Sequence, residues 1–217
     1  MKITCISDTH NQHTHIPPDW LEGGDVLVHA GDISVGGSLR EVEEFLAWFN
    51  EMPYTHKIMI AGNHDFWFEK VSTFAVNEML QEKYPNIVYL NDSGIEIDGV
   101  KFWGSPVQPW FYDWAFNRIG TDICRHWDMI PLDTDVLITH GPMKDFLDIS
   151  VTGVSTGCPY LLEKSVEMTN LKLFVCGHIH EAYGKFEFPD GGVFVNASTL
   201  NFDYQVKNKP IVVEINK

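Results

Sequence analysis

The chain has 217 residues, a formal net charge of -15, and the apolar and aromatic content of an ordinary globular protein. That length suits one domain over residues 1–217, and the acidity argues against a general nucleic-acid binder, which neutralises phosphates with clustered Lys and Arg. No apolar run approaches the roughly 20 residues of a membrane helix, and Cys5, Cys124, Cys158 and Cys176 form no Cys-x-x-Cys pair and read as small hydrophobes.

Taken in order, Lys2 to Ile6 is a strand-like run that ends in Ser7-Asp8-Thr9-His10. A cleaved leader would remove Asp8, so no signal peptide is expected and a cytoplasmic location is. Asn11 to Asp19 reads as loop, and its His13-Thr-His15 as exposed histidines rather than a metal site. Asp25 to Ala30 is the next strand; it breaks at Gly31 and delivers Asp32, while His29 inside it reads as a core residue.

Ser38-Leu-Arg-Glu41 is a capping box, followed by Val42, Phe45, Leu46 and Phe49 at helical spacing up to Pro53, with Glu43 and Glu44 on a solvated face. Lys57 to Ile60 runs into Ala61-Gly62-Asn63-His64-Asp65, and Phe66 to Tyr84 reads as one helix stopped by Pro85. Ile95 to Trp103 is a hairpin turning on Asp98-Gly99. Gln108 to Asn117, rich in Trp, Phe and Tyr, is either an aromatic wall for a ligand or a small core under a loop.

Val136 to Ile138 runs into Thr139-His140-Gly141, and Leu171 to Val175 into Cys176-Gly177-His178-Ile179-His180. Between them, Asp148 to Cys158 reads as a mobile loop that closes over a ligand or only connects elements. A hairpin brackets Pro189 to Gly192, and a last strand runs from Pro210 to Ile215.

Five strand-like runs therefore end in oxygen or imidazole donors, and in open α/β sheets ligands bind at those carboxyl ends. Asp8, His10, Asp32, Asn63, His140, His178 and His180 make a set of carboxylate, amide and imidazole donors with no thiolate. Seven donors over-supply one ion, whereas two ions sharing one carboxylate receive four each. A metal pair about 3.5 to 4 Å apart is the arrangement that clamps the attacking and leaving oxygens of a phosphoryl displacement. Four positive charges from such a pair against two negative ones from Asp8 and Asp32 leave the site attractive to phosphate within an acidic surface.

The series Asp8-x-His10, Gly31-Asp32, Gly62-Asn63-His64-Asp65, His140-Gly141 and Gly177-His178-x-His180 resembles the motifs of the calcineurin-like metallophosphoesterases, over residues 3 to about 200. Trp110 to Phe116 and Gly177 to Gly184 further resemble the small metallophosphoesterase-domain-containing group. The resemblance implies an α/β fold in four αββα layers, with two mixed β-sheets flanked by helices. It also implies that Asp8, His10 and His180 hold one ion, Asn63, His140 and His178 the other, and that Asp32 bridges them. Imidazole and carboxylate suit two divalent transition metal ions, Mn, Fe, Zn, Ni or Co, over Mg or Ca.

On this reading the enzyme hydrolyses a small phosphodiester or phosphomonoester, a nucleotide among the options, by attack of a metal-bridging hydroxide. No Ser or Cys nucleophile with an adjacent base is visible. His64 resembles the family's histidine beside the leaving oxygen, and Asp65 either caps the next helix, the preferred role, or orients His64. No long nucleic acid or membrane is expected as partner. The rival readings are a catalytically weak nucleotide-binding or regulatory module that keeps the metals and, less well matched, a metal hydrolase of amide or lactam bonds.

Overall fold

The computed structural model describes residues 1–189 and 191–216. In chain order its elements are β1 (Lys2–Ile6), β2 (Gly24–Ala30), α1 (Leu39–Glu51), β3 (Tyr54–Ile60), α2 (Phe66–Lys70), α3 (Thr73–Lys83) and β4 (Ile87–Tyr89). The hairpin β5 (Ser93–Ile97) and β6 (Val100–Ser105) follows, then the short β7 (Gln108–Pro109) and β8 (Asn117–Arg118), and α4 (Cys124–Trp127). The chain continues through β9 (Val136–Thr139), α5 (Pro159–Glu167), β10 (Leu173–Cys176), β11 (Gly184–Glu187), β12 (Val193–Asn196) and β13 (Ile211–Glu214).

Two large mixed sheets carry the fold, in the orders β13-β1-β2-β3-β4 and β11-β12-β10-β9-β6-β5. In the first, β1 to β4 run parallel and β13 is antiparallel to β1; in the second, β11 and β5 are the antiparallel edges of a parallel centre. Alternation along the strands explains the layering, because residues two apart share a face. Ile3, Cys5, Val26, Val28, Val136, Ile138 and Val175 fill the space between the sheets. Leu27 and Met59 turn the other way to meet Phe45, Leu46 and Phe49 of α1, while Leu137 and Phe174 meet Trp127 and Leu161. The result is the helix-sheet-sheet-helix stack, with three apolar layers between four structural ones.

The capping box is present in full: Ser38 Oγ accepts from Glu41 N and the Glu41 carboxylate accepts from Ser38 N. Val42, Phe45, Leu46 and Phe49 then bury completely, each contributing about 1.5–3 kcal/mol against an exposed reference. Glu43 and Glu44 are exposed, as expected. Asp98 and Gly99 both take positive φ, 51° and 79°, as a two-residue hairpin turn requires. Of the later hairpin, β11 and β12 pair antiparallel, and Asp190 of its turn lies outside the described residues.

The segment after His64 departs from the single helix expected over Phe66 to Tyr84. It is two helices, because Val71 leaves helical geometry and Ser72 starts a new one, its hydroxyl accepting from Ala75 N at 3.3 Å. His13 is not an exposed loop residue either. It lies in a short 3₁₀ turn, buried against Phe45 and Trp48, and burial lowers its pKa to about 4.

Candidate metal centre

The site forms where the carboxyl ends of both sheets meet. Parallel pairing puts the ends of β1, β2 and β3 side by side, and Asp8 N donates to Gly31 O at 2.9 Å and His10 N to Asp32 O at 3.1 Å. From the second sheet, Gly177 N donates to His140 O at 3.0 Å, and Thr199 N donates across to Ser7 O at 2.8 Å. The strand ends turn sharply: Asp8, His10, Asp32 and His178 all have positive φ, a strained backbone that persists where surrounding bonds fix it. Gly31, at φ +96°, is required by space as well, since a Cβ there would lie 2.6 Å from Ala61 O and 2.7 Å from His140 Nδ1.

All seven sequence-derived donors converge. Asp8, His10 and His180 form one group of candidate ligand atoms within 4.8 Å of one another, and Asp32, His140 and His178 form a second. Asn63 joins the second, its Oδ1 being 2.9 Å from His140 Nε2. A third group, His10, Asp32 and His64, lies across the two and places the His64 ring at the junction.

The imidazoles are held so that Nε2 faces inward. His10 Nδ1 meets Ser34 O at 3.0 Å, His140 Nδ1 meets Ala30 O at 2.9 Å and His180 Nδ1 meets Asn201 O at 3.2 Å. A carbonyl can only accept, so each Nδ1 carries a proton, and in the neutral ring each Nε2 lone pair points at the centre, the usual arrangement for a metal-binding histidine. His178 is set through its backbone, whose N–H donates to both Asp8 oxygens at 3.0 Å. Asp32 has its Oδ1 occupied by His64 N at 2.8 Å, and its Oδ2 lies 3.6 Å from His10 Nε2 and 3.3 Å from His140 Nε2.

Asp8 and Asp32 are buried, and among the described residues their ion-pair partners are histidines, with no Lys or Arg. Burial pushes both carboxyls up, but the ring of imidazoles, His180 foremost for Asp8 and His140 for Asp32, outweighs it and holds both below the ordinary range. Burial pushes His140 down, yet Asp32 and then Asp8 lift it to about 9. His178 goes the other way, to about 4, lowered by burial and by His140. Buried carboxylates compensated by imidazoles alone, with lone pairs aimed inward, fit divalent transition metals.

His64 Nδ1 donates to Val35 O at 2.7 Å, and its ring packs on Trp114 at 4.2 Å between centroids and edge-on to His10 at 4.6 Å. Val35 O thus orients it, not Asp65. Nor does Asp65 cap α2 with its side chain. Its buried carboxylate accepts from Ile33 N, Ser34 N, Ser34 Oγ and Gly62 N at 2.6 to 3.2 Å, bracing the Asp32 turn against the Asn63 turn. Burial, and the charge of Asp32, raise it to about 6.

A family model described as Calcineurin-like phosphoesterase matches residues 1–182. The chain belongs to that family. Its members bind divalent metal ions, and the donor groups above are where this calcineurin-like phosphoesterase can hold them. It is 37% identical to human metallophosphoesterase domain-containing protein 1, over 99% of this chain and 71% of that protein. It is 34% identical to a UPF0046 protein of Caenorhabditis elegans, over all of this chain and 76% of that one. A solved dimetal phosphatase from Danio rerio shares the fold at a TM-score of 0.57 and 12% identity, covering 90% of this chain and 86% of its own.

Around the donors, this calcineurin-like phosphoesterase uses residues that sequence reasoning passed over. Ser198 Oγ donates to Asp8 Oδ2 at 2.9 Å, and Asn196 Nδ2 holds the His178–His180 turn through Gly177 O and Ile179 O at 3.3 and 2.9 Å. A signal existed, since Val193 to Val195 is a sixth apolar run ending in polar residues. Tyr204, at φ 58°, lies with its ring 5.1 Å from both His10 and His180, and nothing in the local sequence marks it. Within Gln108 to Asn117, Ala115 and Phe116 are buried, while Trp110, Phe111, Tyr112 and Trp114 line a cavity over the donors. The 148–158 loop also lines it, through Ser150 and Thr156. The Asp148 carboxylate pins that loop by accepting from Asp145 N, Ser155 Oγ and Gly157 N.

Proposed function

We propose that this chain is a dinuclear-metal-dependent phosphoesterase of small phosphate mono- or diesters, nucleotides among them. The observation that carries the reading is the position of Asp32 Oδ2, one carboxylate oxygen lying between His10 of the first donor group and His140 of the second. Asp8, His10 and His180 would hold one ion, Asn63, His140 and His178 the other, and Asp32 both; Mn, Fe, Zn, Ni and Co suit the set. Bound there, such a pair supplies Lewis acidity, a water of lowered pKa and charge compensation at phosphoryl oxygens.

The rest is the work of this chain's own side chains. The two turns that Asp65 braces hold Asp32 and Asn63 in register, and the three carbonyl-anchored histidines keep their lone pairs inward without rearrangement. His64 keeps its Nδ1 proton on Val35 O, so with a second proton on the ring Nε2 is the atom that hands it to the leaving oxygen and returns to a lone pair, a general-acid step contributing about a hundred- to ten-thousand-fold. Trp114 against its ring restricts the imidazole to that orientation. Among the described residues no helix is long and apolar enough to cross a membrane. Four unpaired thiols, three of them buried, support the cytoplasmic setting we include in this reading.

The test is hydrolysis of aryl phosphomonoesters and diesters by protein loaded with Mn and shown by metal analysis to carry two ions per chain. Release of the aryl group from either ester is expected. Two bound ions with no release from either would favour a non-catalytic binding role, and a single ion per chain would remove the dinuclear assignment.

A further inference from the structure

The cavity over the donors has a volume of about 1080 Å³, large enough for a drug-sized ligand. Its floor is His10, Asp32, Asn63, His178 and His180, and its walls are Trp110, Phe111, Tyr112, Trp114, Phe202 and Tyr204. Among the described residues that line it there is no Lys or Arg, and away from the floor the charged side chains are Asp113 and Glu181. The walls are also where the exposed apolar surface gathers. Trp110 is 55% exposed, Tyr112 68% and Phe202 56%, and Ile149, Val151 and Val154 of the neighbouring loop are exposed as well.

Away from a metal, the strongest side-chain partners of a phosphate or carboxylate are Arg forks and Lys charges. This cavity has neither, so a bound molecule has one place for an anionic group, at the floor. A second anionic group would rest against aromatic faces without a counter-charge and close to two carboxylates. It would lose hydration and gain repulsion. A cationic substituent would find the opposite: aromatic faces that attract it electrostatically, and Asp113 and Glu181 beside them.

We propose that the cavity selects phosphate esters whose organic part is aromatic or apolar and bears no second anionic group, with a cationic substituent favoured, and that Glu181 and Asp113 set this charge preference. The inference rests on the phosphoesterase reading above and names the substrate class for it. Glu181 is placed for the role by the chain itself, directly after His180. Its carboxylate also accepts from Val151 N, which ties the apolar 148–158 loop to the cavity mouth.

The test is calorimetric binding of three phenylphosphonates to the Mn-loaded protein, with methyl, carboxylate or trimethylammonium at the para position and all three phosphonates fully ionised. Phosphonates are not hydrolysed, so the readout does not depend on turnover. At low ionic strength the carboxylate compound should bind about five- to tenfold more weakly than the methyl one and the ammonium compound more tightly, with the spread shrinking as salt is added. In a Glu181→Gln, Asp113→Asn double variant, whose glutamine keeps an acceptor for Val151 N and whose metal content is checked, at least half of the spread should vanish. Equal or tighter binding of the carboxylate compound, no binding of any of the three, or a spread untouched by the double variant would overturn the proposal. Binding in the expected order, with no hydrolysis of the matching phenyl phosphate, would leave it standing and sink the catalytic reading instead.

Discussion

His64 sits where two roles compete at the same few ångströms. Its ring is close enough to Asp32 and His10 to be a ligand atom, yet its Nδ1 is committed to Val35 O and only Nε2 is free for chemistry. As a proton donor it matters in proportion to how badly the leaving oxygen needs a proton. His64→Ala should therefore keep its metals and lose about a hundred- to ten-thousand-fold in kcat on an alkyl ester, and much less on a nitrophenyl ester. Metal analysis and the two rates check it; lost metal, or equal losses on both esters, would make His64 a ligand instead. The donors were legible in the sequence because each lies among the first few polar side chains after an apolar run. Asp65 was not, because all its partners except Gly62 lie about thirty residues upstream, and no local pattern separates that brace from a cap.

At the scale of an element, the cap of α1 reaches beyond its own helix. The Glu41 carboxylate accepts from Ser38 N and Ser38 Oγ, as a capping box predicts, and also from Asn11 Nδ2, Val35 N and Gly36 N at 2.6 to 3.2 Å. It thereby holds the turn whose Val35 carbonyl orients His64. Burial nudges Glu41 up, but these donors, Ser38 first, hold its pKa at about 2. A carboxyl depressed in the folded state contributes stability that is full above its unfolded pKa and is lost as pH falls toward the folded one. The gap in unfolding temperature between wild type and Glu41→Gln, measured with chelator present, should be constant above about pH 5 and close between about 4.5 and 2. A gap that persisted to pH 2 would show that shape, not charge, carries the cap. The box itself was visible as Ser38-x-x-Glu41, and its outward reach was not, because Asn11 and Val35 come close only once β1 and β2 pair. The break at Val71 was hidden for a related reason: the apolar spacing continues through it, and Ser72 caps α3 without the acidic partner that would have announced it.

For the whole molecule, the consequence of the layering is that the donors come from opposite sheets. Asp8, His10, Asp32 and Asn63 follow strands of the first, and His140, His178 and His180 follow strands of the second. Apolar side chains hold the sheets together along their length, but at the carboxyl edge buried carboxylates and imidazoles face one another, and a cation shared there would turn that edge from a strain into a clip. An ion that binds only when both sheets are in place stabilises the folded chain by mass action, about 4 kcal/mol at a thousandfold excess over its dissociation constant. For a chain of this length that corresponds to roughly 10 °C in unfolding temperature. Removal of metal by a chelator should lower the transition by that order, and restoring Mn should recover it. Because each donor group takes side chains from both sheets, His10→Ala in one group and His178→Ala in the other should each erase part of the metal-dependent rise while changing the chelated protein little. A metal response untouched by both substitutions would place the ion outside the two donor groups.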